Sequence, residues 1–440
     1  MWRRAYIKLN PPQLLILVFI LFVALGTTLL LLPFATTEPL SFIDALFTAT
    51  SAMTVTGLVV VDTGTVYTLF GQMVILALIQ FGGIGIMTFA VLIFLMLGKK
   101  IGFHQRLVLQ QALNQTSVGG IILLVKRIIQ FSFLIEGIAV LLLCYRWIPE
   151  YGWVDGFYYS VFHSISAFNN AGFSIWSDSL MNYVGDPVVN IVISFLFIIG
   201  GIGFTVLTDL WYTKEFNKLS LHTKIMLFGT LIINLTAMLL FFVLEYANPN
   251  TLGNFSLIEK LWASYFQAVT TRTAGFNSID IGSMETSSII FMLLLMFVGA
   301  GSTSTGGGIK LTTFVIIILA VNTFIKGRPE IVLFRRSINQ GYVLKALAIS
   351  SISVLFIFLS LFILTITEDV ELLPLLFEII SSFGTVGLSM GITGELTTIG
   401  KAVIVFIMLL GKLGPLTLAY SIAKPKPSKV KYPNADLLTG

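Results

Sequence analysis

The sequence predicts an all-α integral membrane protein built from four tandem repeats, each an outer helix, a half-membrane helix with a loop, and an inner helix. Three observations carry this. Of 440 residues, 56% are hydrophobic and 11% charged, with a mean hydropathy of +0.95. That is too little charge to cover a water-soluble protein of this length. Eight apolar segments reach the ~20 residues a helix needs to cross a bilayer. Finally, one short glycine-ended stretch occurs four times, its glycines 115, 103 and 112 residues apart, and such a period dictates architecture.

In chain order, the spans are roughly 13–32, 67–97, 120–146, 188–212, 225–246, 286–324, 342–366 and 398–422. The first follows basic residues but is too long for a signal peptide and lacks a small-residue cleavage site, so it reads as a membrane helix. Inside successive pairs lie shorter apolar stretches, 41–51, 156–167, 257–269 and 371–382. At ~10–14 residues these suit re-entrant helices. Ser41-Phe42-Ile43-Asp44 and Ser256-Leu257-Ile258-Glu259 have the capping pattern of a helix start. The repeats divide at 1–110, 111–218, 219–334 and 335–424. Lys326-Gly327-Arg328-Pro329 reads as a turn, and 425–440 as a polar tail, expected to be cytoplasmic.

The repeated stretch reads Ala52-Met53-Thr54-Val55-Thr56-Gly57-Leu58, Ala167-Phe168-Asn169-Asn170-Ala171-Gly172-Phe173, Thr270-Thr271-Arg272-Thr273-Ala274-Gly275-Phe276 and Ser382-Phe383-Gly384-Thr385-Val386-Gly387-Leu388. Six residues before the glycine stand Ser51, Ser166, Val269 and Ser381; ten before it stand Phe47, Phe162, Tyr265 and Phe377. Irregular backbone at membrane depth must be buried in protein or line a water-filled path. Glycine allows carbonyls to turn toward an axis, and carbonyl rings can replace the hydration shell of a cation. The short helices would aim the negative ends of their dipoles at that axis. Four such loops suggest four walls of one pseudo-fourfold pore. The candidate ion-binding residues are therefore Thr54, Val55, Thr56 and Gly57; Asn169, Asn170, Ala171 and Gly172; Thr273, Ala274 and Gly275; and Gly384, Thr385, Val386 and Gly387. Asn169 and Asn170 either line the path or buttress the loop.

The inner helices carry a second recurrent feature, Gly82-Gly83-Ile84-Gly85, Gly200-Gly201-Ile202-Gly203, Gly299-Ala300-Gly301-Ser302 and Gly411-Lys412-Leu413-Gly414. Small residues permit close packing or bending, with packing the more frequent use. The third copy extends through Ser302, Thr303, Ser304, Thr305, Gly306, Gly307 and Gly308, a run that does not favour a stable helix in lipid. It also lacks the Gly-Lys-Ser/Thr ending of a phosphate-binding loop. An ionisable group in mid-span is costly and by default functional. Lys412 is thus expected to face the pore or a partner; Lys310 shares its role or, lying nearer the cytoplasmic end, extends to that side. Arg272 is expected to point away from the path and pair with Glu378. Glu136 makes either a buried hydrogen bond or a subunit contact, and His163 is a satisfied helix residue.

Twenty of the 26 lysines and arginines fall before the first span, between repeats or in the tail. The positive-inside rule makes that side, with both termini, cytoplasmic. The opposite side holds most of the acids, including Glu38, Asp44, Asp62, Asp178 and Asp280, an arrangement that concentrates cations. The single cysteine, Cys144, excludes a disulfide framework, and His104, His163 and His222 show no metal-ligand spacing. No nucleophile–base pair points to an enzyme, and the scattered basic residues do not form a nucleic-acid patch.

Thr54-Val55-Thr56-Gly57 and Gly384-Thr385-Val386-Gly387 resemble the threonine-valine-glycine part of potassium-channel filters. With four such loops, the interrupted third inner helix and Lys412, the whole chain resembles the membrane subunit of a Ktr-type bacterial potassium uptake system, in the Ktr/Trk/HKT superfamily. The resemblance implies a selectivity filter holding potassium at the four loops, with Gly301 to Gly308 as a gate loop beneath it and Lys412 as the basic residue that bonds its carbonyls or hydroxyls and adds a positive barrier when the pore is closed. It further implies a homodimer in the lipid of the bacterial cell membrane and a cytosolic nucleotide-binding ring subunit that regulates conduction. Some members need sodium. The nucleotide is expected only on that partner, and no covalently bound cofactor is expected. A sodium- or proton-coupled potassium symporter is the alternative on the same scaffold, with Glu136 and Glu378 as its candidate membrane acids.

Overall fold

The structure is a computed structural model that describes residues 11–85, 88 and 121–422. The expected end of the second span beyond residue 85, the first repeat boundary, Lys99, Lys100, Arg106, His104 and the 425–440 tail lie outside the described residues.

The element order recurs with the glycine loops. Helix α1 (Pro11–Leu30) precedes the 13-residue α2 (Phe42–Thr54), a one-turn α3 (Thr63–Val66) and α4 (Leu69–Ile84). Next, α5 (Ile121–Phe168) joins a long and a short helix across a break at Gly152, whose φ of 83° and ψ of 175° are non-helical. It leads to α6 (Pro187–Ile202) and α7 (Phe204–Tyr212). The third set is α8 (Leu221–Glu245), α9 (Leu257–Thr270), α10 (Thr286–Phe297) and α11 (Leu311–Ile325). A small antiparallel hairpin, β1 (Ile331–Leu333) and β2 (Arg336–Ile338), connects it to the fourth. That set is α12 (Gln340–Thr367), α13 (Leu372–Gly384), α14 (Thr398–Leu413) and α15 (Pro415–Ile422).

Sequence chemistry sets the helix starts. Ser256 and Glu259 form a reciprocal capping box at α9, satisfying two amides that a helix leaves unpaired. At α2 the Ser41 hydroxyl accepts from the Asp44 amide (3.2 Å), while the Asp44 carboxylate takes an ion pair with Lys401 of α14 (2.7 Å). That pair joins the first set to the last, and Leu409 and Leu413 of α14 pack into the first set's core beside Met53 and Val55. The chain thereby closes on itself.

The structure corrects the spans. Four described helices are long and apolar enough to cross a membrane, α1, the first part of α5, α8 and α12. The expected spans 188–212, 286–324 and 398–422 are interrupted rather than continuous. The first two pieces, α6 and α7, meet at 91°. Gly85, Gly203 and Gly414, with φ of 92°, 107° and 83°, end α4, α6 and α14, a left-handed backbone that L-residues with a Cβ avoid. The expected break in the third copy alone therefore holds only in degree. There the gap runs from Val298 to Lys310, and in the second and fourth copies it is one glycine, Gly203 or Gly414.

Candidate functional site

The four glycine loops meet. A methyl group on Gly57 would press on the backbone of Ala171 and Gly172, one on Gly172 on Ala274 and Gly275, one on Gly275 on Val386, and one on Gly387 on Thr56 and Gly57. The contacts run from first loop to second, third, fourth and back to first: a closed ring. The four glycines have φ of 93°, 68°, 81° and 92°. All candidate ion-binding residues are brought together here and are buried, apart from the half-buried Gly172 and Gly387.

Each loop is built from its short helix in the same manner. The residue two before the glycine is left-handed in every copy, Val55, Asn170, Thr273 and Thr385, at φ of 52°, 58°, 74° and 49°. Four non-glycine residues in that region, two of them threonine and one valine, are backbone strain held by surrounding structure. The hydroxyl six before the glycine supports the loop. Ser51 and Ser381 accept from the Gly57 and Gly387 amides, each at 3.1 Å, and Ser166 donates to the Phe173 carbonyl at 2.7 Å. In the third copy that position is Val269, and Thr270, one residue later, donates to the Phe276 carbonyl at 2.5 Å. Beneath the loops, Gly82, Gly200 and Gly411 leave room for the carbonyls of Met53, Phe168 and Phe383, each four before its loop glycine. The expected packing role thus falls on the first glycine of the motif, and the breaking role on the last.

The stretch between α10 and α11 lies under this ring. Its backbone is tied to α6 by Gly301 N to Gly201 O (2.8 Å) and Thr305 N to Gly200 O (3.2 Å), and to α14 by Gly308 N to Gly411 O (3.3 Å). Ser304 donates to Gly301 O (2.6 Å); Thr303 bonds the Thr205 hydroxyl (2.9 Å); Ser302 lies against Gly203. Lys412 Nζ donates to Thr305 O. Lys310 Nζ donates to Gly306 O (2.7 Å) and Gly307 O (3.3 Å), so it turns inward to the stretch rather than toward the cytoplasmic side.

Asn169 and Asn170 both engage neighbouring groups by hydrogen bonds, Asn170 Nδ2 donating to Phe197 O (3.2 Å) and Thr273 Oγ1 (3.3 Å). Asn169 turns away from the ring, donating to Gln80 Oε1 (2.7 Å) and Glu136 Oε1 (3.4 Å), while Gln80 donates to both Glu136 oxygens. Glu136 is therefore held by buried hydrogen bonds, with Gln80 as the partner that sequence spacing did not reveal. The expected Arg272–Glu378 pair is absent among the described residues. Arg272 is 8% exposed and faces a cavity beside Thr230 and Asn234, at the C-terminal ends of α6 and α9, whose dipoles favour a cation. Glu378 instead accepts from Ser389 (2.9 Å) and Thr393. His163 is satisfied as expected, through Tyr159 O (2.8 Å) and Ser174 Oγ (3.1 Å). His163 and Glu378 each stand nine before a loop glycine and hold the serine two after it, a correspondence invisible without the fold. On the loop beyond the first glycine, burial would raise the Asp62 carboxyl, but hydrogen bonds from Ser177, Thr65 and the Thr65 and Gly64 amides hold it below its ordinary value.

Residues 9–432 match the model of the TrkH family, described as cation transport protein. The chain is 58% identical over 435 residues to "Ktr system potassium uptake protein B" of Bacillus subtilis, covering 99% of this chain and 98% of that protein. It is 43% identical to the protein of the same name from Vibrio alginolyticus, covering 100% and 97%. It is 37% identical to "Potassium/sodium uptake protein NtpJ" of Enterococcus hirae, covering 100% and 99%. The crystal structure of the potassium transporter TrkH from Vibrio parahaemolyticus superposes with a TM-score of 0.73 at 21% identity, over 96% of this chain and 87% of that one, a likeness of fold.

Proposed function

We propose, from the premise that this chain belongs to the TrkH family of cation transport proteins, that it takes up potassium through one gated pore whose selectivity filter is the ring of four glycine loops. In this multi-pass membrane protein, the single observation that carries the reading is closure of the ring. Four loops far apart in sequence present buried backbone to one another around a common centre, where carbonyls can replace the water of a dehydrated cation. The short helices α2, α9, α13 and the end of α5 direct their C-terminal dipoles to that centre, lowering the energy of a positive ion there. Ionised Asp62 and its neighbours supply the negative field outside. The Gly301 to Gly308 stretch is the gate, and Lys412 and Lys310 hold it beneath the filter as a positive barrier to cations.

The words "Ktr system" in the names of the Bacillus and Vibrio relatives support a multi-subunit assembly. The reading includes a homodimer in the membrane and a cytosolic nucleotide-binding ring that moves the gate. The name of the Enterococcus relative joins sodium to potassium, and sodium enters the proposal as an activator. The coupled-symport alternative needs a membrane acid on the ion path. Glu136 and Glu378 are each engaged behind the ring by neighbouring amides or hydroxyls, which favours passive conduction.

Purified chain in vesicles of phosphatidylethanolamine and phosphatidylglycerol tests this. An outward potassium gradient is expected to drive rubidium-86 accumulation with a protonophore present, and no sodium-22 should accompany it. Accumulation that stops when the proton gradient is collapsed, or a fixed sodium-to-rubidium ratio, would establish the symporter instead.

A further inference from the structure

The residues two before the loop glycines have a second relation, to the stretch beneath them. Three consecutive gate-loop residues meet three of them in order. Thr305 Oγ1 donates to Asn170 Oδ1 of the second loop (2.8 Å). Gly306 lies against Thr273 of the third, where a methyl group would come within 3.0 Å of the Thr273 Cβ. The Gly307 amide donates to Thr385 Oγ1 of the fourth (2.8 Å). Asn170 Nδ2 in turn donates to Thr273 Oγ1 (3.3 Å) and to Phe197 O of α6 (3.2 Å). In the first loop the equivalent residue is Val55, which has no polar side-chain atom to offer. The carbonyls of the same three gate-loop residues are held from below by Lys412 and Lys310.

We infer that Asn170, Thr273 and Thr385 form a seat for the gate loop and make the filter and gate one mechanical unit, so that selectivity depends on whether the loop is seated. This rests on the proposed reading of ring and stretch as filter and gate. The seat residues are already strained into the left-handed region, and strain of this kind persists only where surrounding contacts impose it. Withdrawal of Thr305 and Gly307 removes two of those contacts, leaving Asn170 and Thr385 with unmatched polar atoms at the inner end of the filter. An unsatisfied buried group is costly, so Asn170 and Thr385 would reorient and the innermost ion site would change. Asn170, Thr273 and Thr385 are positioning residues in this scheme: they set the filter through the loop.

The test is a double-mutant cycle on the full chain in the same vesicles, reading rubidium-86 influx and its inhibition by unlabelled potassium and sodium. Asn170→Ala and Thr305→Ala are each expected to raise influx about fivefold, the equivalent of one hydrogen bond near 1 kcal/mol. The double variant should rise no further than Asn170→Ala alone, because the contact that Thr305→Ala removes is already gone there. Each should also lower potassium preference, Asn170→Ala at least as far as Thr305→Ala, because it also removes the donations to Thr273 Oγ1 and Phe197 O. Additive effects, or raised influx with unaltered potassium preference, would overturn the coupling. If Gly387→Ser also leaves preference untouched, the filter assignment fails; if Gly387→Ser lowers it while the cycle is additive, only the seat is wrong.

Discussion

Gly387→Ser is expected to lower the preference for potassium over sodium by about tenfold or more. Gly387 sits at φ 92°, where a side chain costs of order 1–3 kcal/mol, and a Cβ there would overlap the Thr56 carbonyl and come within 2.9 Å of Gly57 Cα. Both neighbours are backbone at the seam between the fourth and first loops, so no flexible side chain can yield. Relief requires the fourth loop to move outward, which widens the ring and turns carbonyls off the axis. A wider ring no longer replaces the hydration shell of potassium and admits water, so both ions pass partly hydrated and the cost falls on discrimination before it falls on folding. The Gly387 amide bond to Ser381 Oγ should hold the α13 end of the loop in place. Competition of unlabelled potassium and sodium against rubidium-86 influx measures the effect, with protein amount fixed by immunoblot.

Lys412→Met is expected to raise influx through the chain without any partner by roughly ten- to a hundredfold, since a hydrogen bond from a charged donor contributes ~1.5–3 kcal/mol. Lys412 is held at Thr305 O, the carbonyl side of the same residue that seats against Asn170. Removing it frees one face of the gate loop and takes a positive charge from the ion path. Lys310→Met should act in the same direction and less strongly, because its two acceptors are Gly306 and Gly307 and Lys412 remains. Lys412→Arg keeps charge and donors and should restore the low influx. An unaltered influx in Lys412→Met would mean that the bond is packing and the gate lies elsewhere.

Much of this site was legible from periodicity alone. The four glycines, their serine and aromatic companions and the interrupted third inner helix followed from counting residues, because loops that meet in a ring carry equivalent parts at equivalent places. Long-range pairing was not legible. Arg272 and Glu378 have opposite charge and both flank the ring, yet Arg272 is placed by the ends of α6 and α9, and Glu378 by Ser389 and Thr393. Spacing says which residue types recur; it does not say toward which neighbour a buried side chain turns. Gln80 escaped notice for the same reason: it is one polar residue in an apolar helix, and only the fold brings it to Glu136 and Asn169. The breaks at Gly203 and Gly414 were written in the Gly-Gly-Ile-Gly and Gly-Lys-Leu-Gly motifs, but hydropathy averages across them and returns unbroken spans. The hydroxyl that moves from position 269 to Thr270 shows a further limit, since one function can shift a residue without leaving a matching letter.

The most direct measurement is rubidium-86 uptake by bacteria lacking their own potassium transporters, expressing this chain with a cytosolic ring subunit, beside its Gly57→Ser, Gly172→Ser and Gly275→Ser variants. The ring predicts saturable uptake inhibited far more by potassium than by sodium, and a loss of that preference in all three variants, because each glycine abuts the next loop. Uptake whose preference survives serine at any one of the three would show that the ion does not pass through a common ring of four loops.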